Sequence, residues 1–213
     1  RKIVLKADGT LDRVIIPDRL DAHKLIEECM IAANVQAALF LLEHDTPAAY
    51  RIHDKPPESK YADLLEFLKE FKLPMPPWAK VQPRDFSRLL QRIRERPDAA
   101  LLESVLLHSQ SLAVYAPDNI GHFGLALAAY AHFTSPIRRY PDLLLHRAIK
   151  AQLAQKPYPI SGASLDDAGE HFSSTERRAD EASRSVTTWL KCHYMQQHLG
   201  EEFVGIISAT AEF

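Results

Sequence analysis

Residues able to bind phosphate are concentrated in one segment of the chain, residues 130–147, with the sequence YAHFTSPIRRYPDLLLHR. Pro141 would break a helix running through this segment, because it lacks a backbone N–H and clashes with the preceding turn. The pattern therefore predicts a turn over residues 135–140 and a helix beginning at Pro141. Arg138 and Arg139 then lie directly before a helix N-terminus, where free amides and planar guanidinium groups favour an anion such as phosphate.

Aromatic side chains accompany these two arginines. They are Tyr130, His132, Phe133 and Tyr140. Proteins that bind single-stranded nucleic acid combine cations for the backbone with flat rings on which bases stack. The same residues also have a structural interpretation, in which Arg138 pairs with Asp142. Phe133 and Tyr140 would then belong to the hydrophobic core, and the segment alone leaves both interpretations open.

Acidic candidates lie on a long helix predicted over residues 19–44, which carries Glu27, Glu28 and Asn34. From Met30 onward its apolar residues cover every face, which predicts a buried helix. Buried carboxylates need a cation or a metal as partner, so Glu27 and Glu28 are site candidates. Alternatively, both lie on a solvated first half of the helix and pair with nearby basic residues.

Four arginines recur at four-residue spacing on or beside a helix predicted over residues 85–96. They are Arg84, Arg88, Arg92 and Arg96. This spacing places them along one helical face, which either contacts RNA or is simply solvated. Asp85 and Glu95 dilute the positive charge and favour the solvated face.

The rest of the chain is mostly helical in pattern. Asp8-Gly9 between two β-prone runs, residues 3–5 and 11–16, predicts a β-hairpin. Further helices are predicted over residues 60–71, 97–110, 141–155 and 164–199. A final β-prone run covers residues 202–210. The predicted fold class is α+β, mostly helical, with an N-terminal hairpin and strands that belong to a larger sheet.

Composition limits the classes of function. A chain of 213 residues with a net charge of -2 can bury a core but has no general basic excess, so any RNA site must be local. Cys29 and Cys192 lie in apolar helical patterns, which predicts buried thiols rather than a disulfide or a zinc site. No apolar run of membrane-spanning length and no signal peptide is recognised, which predicts a cytoplasmic protein without membrane contact.

Residues 130–147 resemble the signature of the catalytic RNB domain of the ribonuclease II family. Four further blocks follow the order found in that family. They are residues 21–34, 51–56, 121–125 and 176–182. The resemblance covers nearly the whole chain. It implies that residues 1–200 form the C-terminal part of an RNB catalytic domain and that residues 201–213 begin a truncated OB-fold RNA-binding domain.

The resemblance implies processive hydrolysis of single-stranded RNA from its 3′ end, with release of nucleoside 5′-monophosphates. Arg138 would be catalytic, contacting the phosphate at the scissile bond and stabilising the negative charge that develops there. The RNA-binding residues implied in the same way are Glu28, His132, Ser135, Arg139 and Tyr140. Glu28 matches the acidic position better than Glu27, although Glu27 remains open.

Hydrolysis of a phosphodiester uses a divalent metal held by carboxylates. The only adjacent aspartate pair, Asp166-Asp167, fits the first turn of a helix better than a metal site. In the family, the magnesium-binding aspartates precede the part of the domain represented here. The resemblance therefore implies Mg²⁺ in the full-length, monomeric enzyme and no metal ligands in this chain, which is expected to be an inactive fragment. A catalytically inactive RNA-binding relative and a helical protein-interaction scaffold are the alternatives.

Overall fold

The computed structural model describes residues 2–15, 17–160 and 162–205. Helices dominate these residues, and two small antiparallel sheets accompany them, so the predicted α+β class is confirmed. In chain order the elements are β1 (Lys2–Leu5), β2 (Leu11–Ile15), α1 (Asp21–Glu43), β3 (Tyr50–Ile52), α2 (Glu58–Glu70), α3 (Pro83–Ile93), α4 (Ala99–Ser109), β4 (Val114–Ala116), α5 (Tyr140–Leu153) and α6 (Gly162–Met195). Single 3₁₀ turns occur at Trp78–Lys80, Phe123–Leu125 and Gln196–His198.

The predicted N-terminal hairpin is confirmed as β1 paired with β2. Gly9 has a φ of +83°, a conformation that favours glycine because it has no Cβ. The Asp8 carboxylate accepts hydrogen bonds from the backbone amide and the hydroxyl of Thr10, at 2.9 and 2.7 Å. The turn chemistry thus fixes the register of the two strands.

α1 is only partly buried, so the prediction of burial from Met30 onward is wrong in part. Its buried residues, Asn34, Ala37, Ala38 and Leu41, face α5 and the segment around residue 130, whereas residues 21–30 are exposed throughout. An apolar composition on every face therefore did not require burial on every face. Cys29 lies in the exposed half, and Cys192 is exposed near the end of α6, so the prediction that both thiols are buried is also wrong.

By length and composition alone, α1 also meets the criterion for a membrane-spanning helix, with a mean hydropathy of 1.6. The sequence-based expectation that no run reaches this length is therefore corrected. The core helix of a globular domain meets the same criterion, and α1 packs its buried side against α5.

We call α2, α3 and α4, with the loop between them, the helical lobe. Its core consists of apolar and aromatic side chains spaced three or four residues apart on each helix. They are Tyr61, Leu64, Leu68, Leu73, Val81, Phe86, Leu89, Ile93, Leu102 and Leu106. Trp78 anchors the proline-rich loop, because its indole N–H donates to the carbonyl of Pro56 at 2.8 Å while the Lys55 ammonium lies 3.4 Å from its ring centroid.

We call the second cluster, between α1, β3 and α5, the central core. It uses small residues, Ala37, Ala38, Ala48, Ala129, Ala131 and Ala148, together with Leu41, Tyr50 and Leu145. β3 pairs with β4 and, on its other edge, receives segment 121–131: the Arg51 amide donates to Tyr130 O at 2.9 Å and the His53 amide to Gly121 O at 3.1 Å. Segment 121–131 leads directly into the arginine-containing turn.

α6 closes the outer edge of β4. A Cβ at Gly169 would lie 2.5 Å from the carbonyl oxygen of Tyr115, so only glycine permits this approach. The Ser173 hydroxyl accepts a hydrogen bond from the Tyr115 amide at 2.9 Å and so satisfies the strand edge. Residues 201–205 form neither helix nor strand, and most of the predicted 202–210 strand lies outside the described residues.

Candidate nucleic-acid interface

The turn before α5 is closed by backbone hydrogen bonds. The amides of Arg138 and Arg139 both donate to the carbonyl oxygen of Ser135, at 3.3 and 3.0 Å. α5 begins at Tyr140, one residue earlier than predicted, with Pro141 in its first turn. A proline is tolerated there because the first-turn amides have no intrahelical acceptor.

Asp142 ties this turn to the helix. Its side chain is fully buried, and its Oδ1 accepts hydrogen bonds from the Ser135 amide at 2.7 Å and from Arg139 Nη2 at 2.9 Å. Within the described residues, Asp142 Oδ2, Arg139 Nε and Thr134 Oγ1 are buried without a hydrogen-bond partner. A buried carboxylate is costly unless it is paired, so Asp142 and Arg139 depend on each other.

The two adjacent arginines therefore do different things. Arg139 is paired with Asp142, whereas Arg138 is exposed and makes no ion pair or side-chain hydrogen bond in the described part of the chain. The structural alternative from the sequence, an Arg138–Asp142 pair, is wrong because Arg139 takes that position. Arg138 lies beside the fully exposed Ile137 on the turn that Asp142 holds, where its guanidinium can contact an anion.

His132 lies behind this turn, partly buried among aromatic rings. Its Nδ1 is 2.8 Å from the hydroxyl of Tyr115, and its ring makes edge contacts with those of Tyr115 and Tyr130. Burial, and to a smaller extent the nearby guanidinium groups of Arg139 and Arg51, lower the pKa of His132 to about 3. His132 is therefore neutral at physiological pH.

Tyr130 and Phe133 are held by Asn34 of α1. The Asn34 amide donates to the Tyr130 hydroxyl at 2.9 Å, and its oxygen accepts from the Phe133 amide at 2.9 Å. The Phe133 ring stacks on His146 with centroids 4.2 Å apart, and a nitrogen of that imidazole lies 2.8 Å from the Phe133 carbonyl. These two aromatic residues thus serve the structure, as the structural interpretation predicted for Phe133, and Asn34 positions the segment that contains His132.

Tyr140 has a different environment. Its side chain is about half exposed, and its ring meets Phe172 of α6 edge to face at 5.7 Å. It is the exposed aromatic surface next to Arg138. Ser135 contributes through its backbone, because its amide and carbonyl close the turn.

Arg51 and Glu176 link the sheet to α6 behind His132. Arg51 Nη1 lies 2.7 Å from Glu176 Oε2 in an ion pair, and the guanidinium lies 4.6 Å from the centre of the Tyr115 ring. The sequence pattern predicts no role in the site for either Arg51 or Tyr115. No local motif marks Tyr115, since its partners lie 17 and 58 residues further along the chain.

His53 is also a structural residue. Its Nδ1 accepts a hydrogen bond from the Gly124 amide at 2.9 Å, and its Nε2 lies 2.9 Å from the carbonyl of Ser111. His53 joins the end of β3 to the start of segment 121–131 and stacks on His122 at 5.0 Å.

Glu27 and Glu28 lie on the exposed half of α1. Glu27 forms an ion pair with Arg19, as the solvated alternative predicted. Glu28 makes no ion pair in the described part of the chain, and no hydrogen bond there joins it to residues 132–140. The turn places His132, Ser135, Arg139 and Tyr140 close to Arg138. The RNA-binding role of each of them, and of Glu28, stays a prediction.

The arginine row is shorter than its spacing suggested. α3 ends at Ile93, so Arg96 lies outside it and forms a two-fold hydrogen-bonded pair with Asp98, at 2.8 and 2.7 Å. Arg84, Arg88 and Arg92 are exposed on α3. They form a solvated face on the opposite side of α3 from Phe86 and Leu89.

The chemistry available at this site is anion binding and charge stabilisation by Arg138, beside a neutral histidine and an exposed tyrosine. Among the residues that the structure describes, no group of three or more His, Cys, Asp or Glu side chains could hold a metal ion. A metal centre therefore does not fit the residues that the structure describes.

An exposed arginine on a turn held by a buried aspartate, at the start of a helix, is a candidate phosphate-binding site. Residues 1–155 match the RNB domain family. The chain belongs to this family.

Among curated proteins, the chain is 47% identical to ribonuclease R of Escherichia coli (strain K12), an alignment that covers all of this chain and 27% of the relative. The chain thus spans about a quarter of that protein's length. Among solved structures it resembles Mycoplasma genitalium RNase R in complex with ribose-methylated single-stranded RNA, with a TM-score of 0.91 and 25% identity. That match covers 99% of this chain and 34% of the other.

A more distant likeness links the chain to yeast Ssd1, described as a pseudonuclease. The TM-score is 0.63 at 25% identity, covering 73% of this chain and 20% of Ssd1. The fold is therefore shared by nucleases and by at least one relative described as lacking that activity.

Proposed function

We propose that this chain is the substrate-holding part of a 3′-to-5′ exoribonuclease that processively hydrolyses single-stranded RNA to nucleoside 5′-monophosphates. The observation that carries the proposal is Arg138, which is exposed and has no ion pair among the described residues, on a turn that Asp142 and Arg139 fix at the start of α5. Membership of the RNB domain family and the high similarity to ribonuclease R support the same reaction.

In this proposal Arg138 binds the phosphate at the scissile bond and stabilises the charge that develops on its oxygens. A preorganised cation is worth most where its position is fixed before the reaction begins. Arg139 holds the turn through Asp142 and borders the same phosphate. Tyr140 offers a half-exposed ring on which a base can stack. His132 lies behind the turn as a neutral side chain.

The complete enzyme is proposed to use Mg²⁺, with ligands outside the residues described here, and to act as a cytoplasmic monomer without membrane contact. Glu28 is proposed to line the RNA channel from α1. Residues 201–213 are proposed to begin an OB-fold RNA-binding domain, after a catalytic portion that covers residues 1–200.

The test is exonuclease activity on a 3′-labelled RNA oligonucleotide with added magnesium. The protein expressed from its complete gene is compared with the 213-residue chain. We expect only the complete protein to release mononucleotides. Hydrolysis by the chain alone would show that it holds a metal site of its own and would overturn the assignment of roles.

Arg138→Ala in the complete protein should lower kcat by about 100-fold or more, while RNA affinity falls by less than about tenfold, because the guanidinium acts mainly in the transition state. Arg92→Ala is the matched control, since Arg92 is an exposed arginine on α3 without an ion pair in the described part of the chain. Single-turnover hydrolysis and filter binding measure the two effects. Equal losses in rate and affinity would mean that Arg138 only binds.

The second candidate function is that of an inactive RNA-binding relative, which the likeness to the pseudonuclease Ssd1 favours. It predicts RNA binding by the complete protein that depends on Arg138, without release of mononucleotides at any magnesium concentration. The same assay therefore separates the two functions.

A further inference from the structure

Tyr115 is fixed from several sides behind the proposed RNA site. Its strand β4 pairs with β3, and its amide donates to Ser173 of α6. The Arg51 guanidinium covers one face of its ring at 4.6 Å, and Phe172 meets it edge to face at 6.0 Å. The hydroxyl of this immobilised ring lies 2.8 Å from Nδ1 of His132.

The direction of this hydrogen bond follows from the chemistry of its two groups. A phenol is a much better proton donor than a neutral imidazole N–H, and an imidazole nitrogen is a better acceptor than a phenol oxygen. The Tyr115 hydroxyl therefore donates and Nδ1 accepts. A neutral imidazole whose Nδ1 accepts must carry its single proton on Nε2.

The surroundings keep both groups in these protonation states. His132 is faced by Arg51 from β3, by His122 from segment 121–131, and by Arg138 and Arg139 from the turn. All of these groups are cationic or neutral, so together with burial they oppose a charge on His132. Burial raises the pKa of Tyr115 to about 12, so its phenol keeps the proton that it donates.

Within the described residues, Nε2 of His132 has no hydrogen-bond partner, and the residue is only partly buried. We propose that Tyr115 is a positioning residue that fixes His132 as a neutral Nε2–H donor to an acceptor oxygen of the bound RNA strand. This inference rests on the proposed RNA-binding function. Arg138 supplies charge to a phosphate, whereas His132 supplies a single directed hydrogen bond.

The first test is NMR of the complete protein labelled with ¹⁵N-histidine, with the His132 signals identified by their loss in His132→Gln. We expect a non-protonated Nδ1 and a protonated Nε2, unchanged from neutral pH to about pH 5. In Tyr115→Phe the hydrogen-bond shift of Nδ1 should disappear. A proton on Nδ1, or a cationic ring in this pH range, overturns the inference whether or not the protein cleaves RNA, so this result is independent of the proposed function.

The second test is a double-mutant cycle on RNA affinity. Tyr115→Phe should weaken binding about three- to tenfold, the size expected for one hydrogen bond that orients a donor. In a His132→Gln background, the glutamine amide supplies an N–H near the position of Nε2 without needing the phenol. There Tyr115→Phe should have almost no effect, whereas equal losses in both backgrounds mean that Tyr115 only packs.

Tyr50→Phe is the matched control. Tyr50 is a buried tyrosine on the neighbouring strand β3 whose hydroxyl has no hydrogen bond in the described part of the chain. It should leave RNA affinity unchanged. If Tyr115→Phe does not fold, the pair His132→Gln and His132→Asn decides: Gln, which places its amide near Nε2, should bind RNA more tightly than Asn, which places it near Nδ1. Equal affinities overturn the proposal.

Discussion

The core of the helical lobe contains ten apolar or aromatic side chains, whereas the central core combines alanines with a network of buried polar groups. Asn34, His53 and Asp142 are all buried in or beside the central core, and each bonds a backbone amide elsewhere in the chain. The fold of the helical lobe requires only that its core side chains be apolar and of suitable volume. The region around Arg138 needs particular donors and acceptors in particular places, because its proposed function depends on a fixed turn.

The difference has an energetic reason. Apolar burial stabilises a fold in proportion to area and tolerates exchange among side chains of similar volume. A buried hydrogen-bond network is stable only when its members are satisfied, and it then fixes one conformation. The central core therefore specifies geometry, and the helical lobe supplies stability.

The sharpest test of this comparison is Asp142→Ala. It leaves the Ser135 amide and the Arg139 guanidinium without their acceptor, so we expect the free energy of unfolding to fall by about 4 kcal/mol. Urea unfolding measures the change. Asp12→Ala removes a solvent-exposed partner of Arg13 and should cost less than about 1 kcal/mol. Similar losses for the two variants would mean that the turn does not depend on Asp142.

Leu102→Ala probes the helical lobe. Leu102 is fully buried in its core, so the cavity should lower the free energy of unfolding by about 3 kcal/mol. RNA affinity per folded molecule should stay unchanged, because the hydrogen bonds and the ion pair that fix the turn run to α5 and not to the lobe core. Leu107→Ala, at a side chain that is 72% exposed on the same helix, should have little effect on either quantity. A loss of affinity in folded Leu102→Ala would show that the two regions are coupled.

Lowering the pH should destabilise the region around the central core more than the helical lobe. The pKa values of His122 and His132 are lowered from 6.5 to about 4 and about 3, mainly by burial. Below pH 6.5 the unfolded chain binds protons that the folded chain does not, so stability is complete above pH 6.5 and is lost as the pH falls towards 4 and then 3.

Between pH 6.5 and pH 5, we expect the free energy of unfolding to fall by about 2 kcal/mol, allowing for partial solvent screening of His122. Urea unfolding at the two pH values measures this loss. His132→Gln removes one of the two groups and should make the pH dependence shallower. An unchanged slope in that variant would show that His132 does not contribute.

The smallest effect is expected on the exposed face of α3. Arg84→Ala should change the free energy of unfolding by less than about 0.5 kcal/mol, because the side chain is solvated and makes no ion pair in the described part of the chain. RNA affinity should also remain unchanged, as measured by filter binding. A clear loss of affinity would show that this face of α3 contacts RNA and that the interface extends beyond the central core.

Local features of the chain were predictable because they depend on neighbouring residues. The hairpin at Asp8-Gly9 and the turn before α5 follow from glycine and proline chemistry, and the helices follow from apolar periodicity. The positions of Arg138 and Arg139 before a helix start were predicted for the same reason. The resemblance of five ordered blocks to one family also required nothing but the sequence.

Only the tertiary structure decided which partner each polar group finds. Arg138 and Arg139 are adjacent and chemically identical, and the pairing of Arg139 with Asp142 depends on the path of the turn. Tyr115 reaches His132 because β3, segment 121–131 and α6 converge around it, although 17 residues separate the two. The exposure of Cys29 and of residues 21–30 likewise depends on which side of α1 meets α5. Composition and periodicity determine local structure, whereas long-range packing determines which of two identical side chains pairs with the buried Asp142 and which stays exposed.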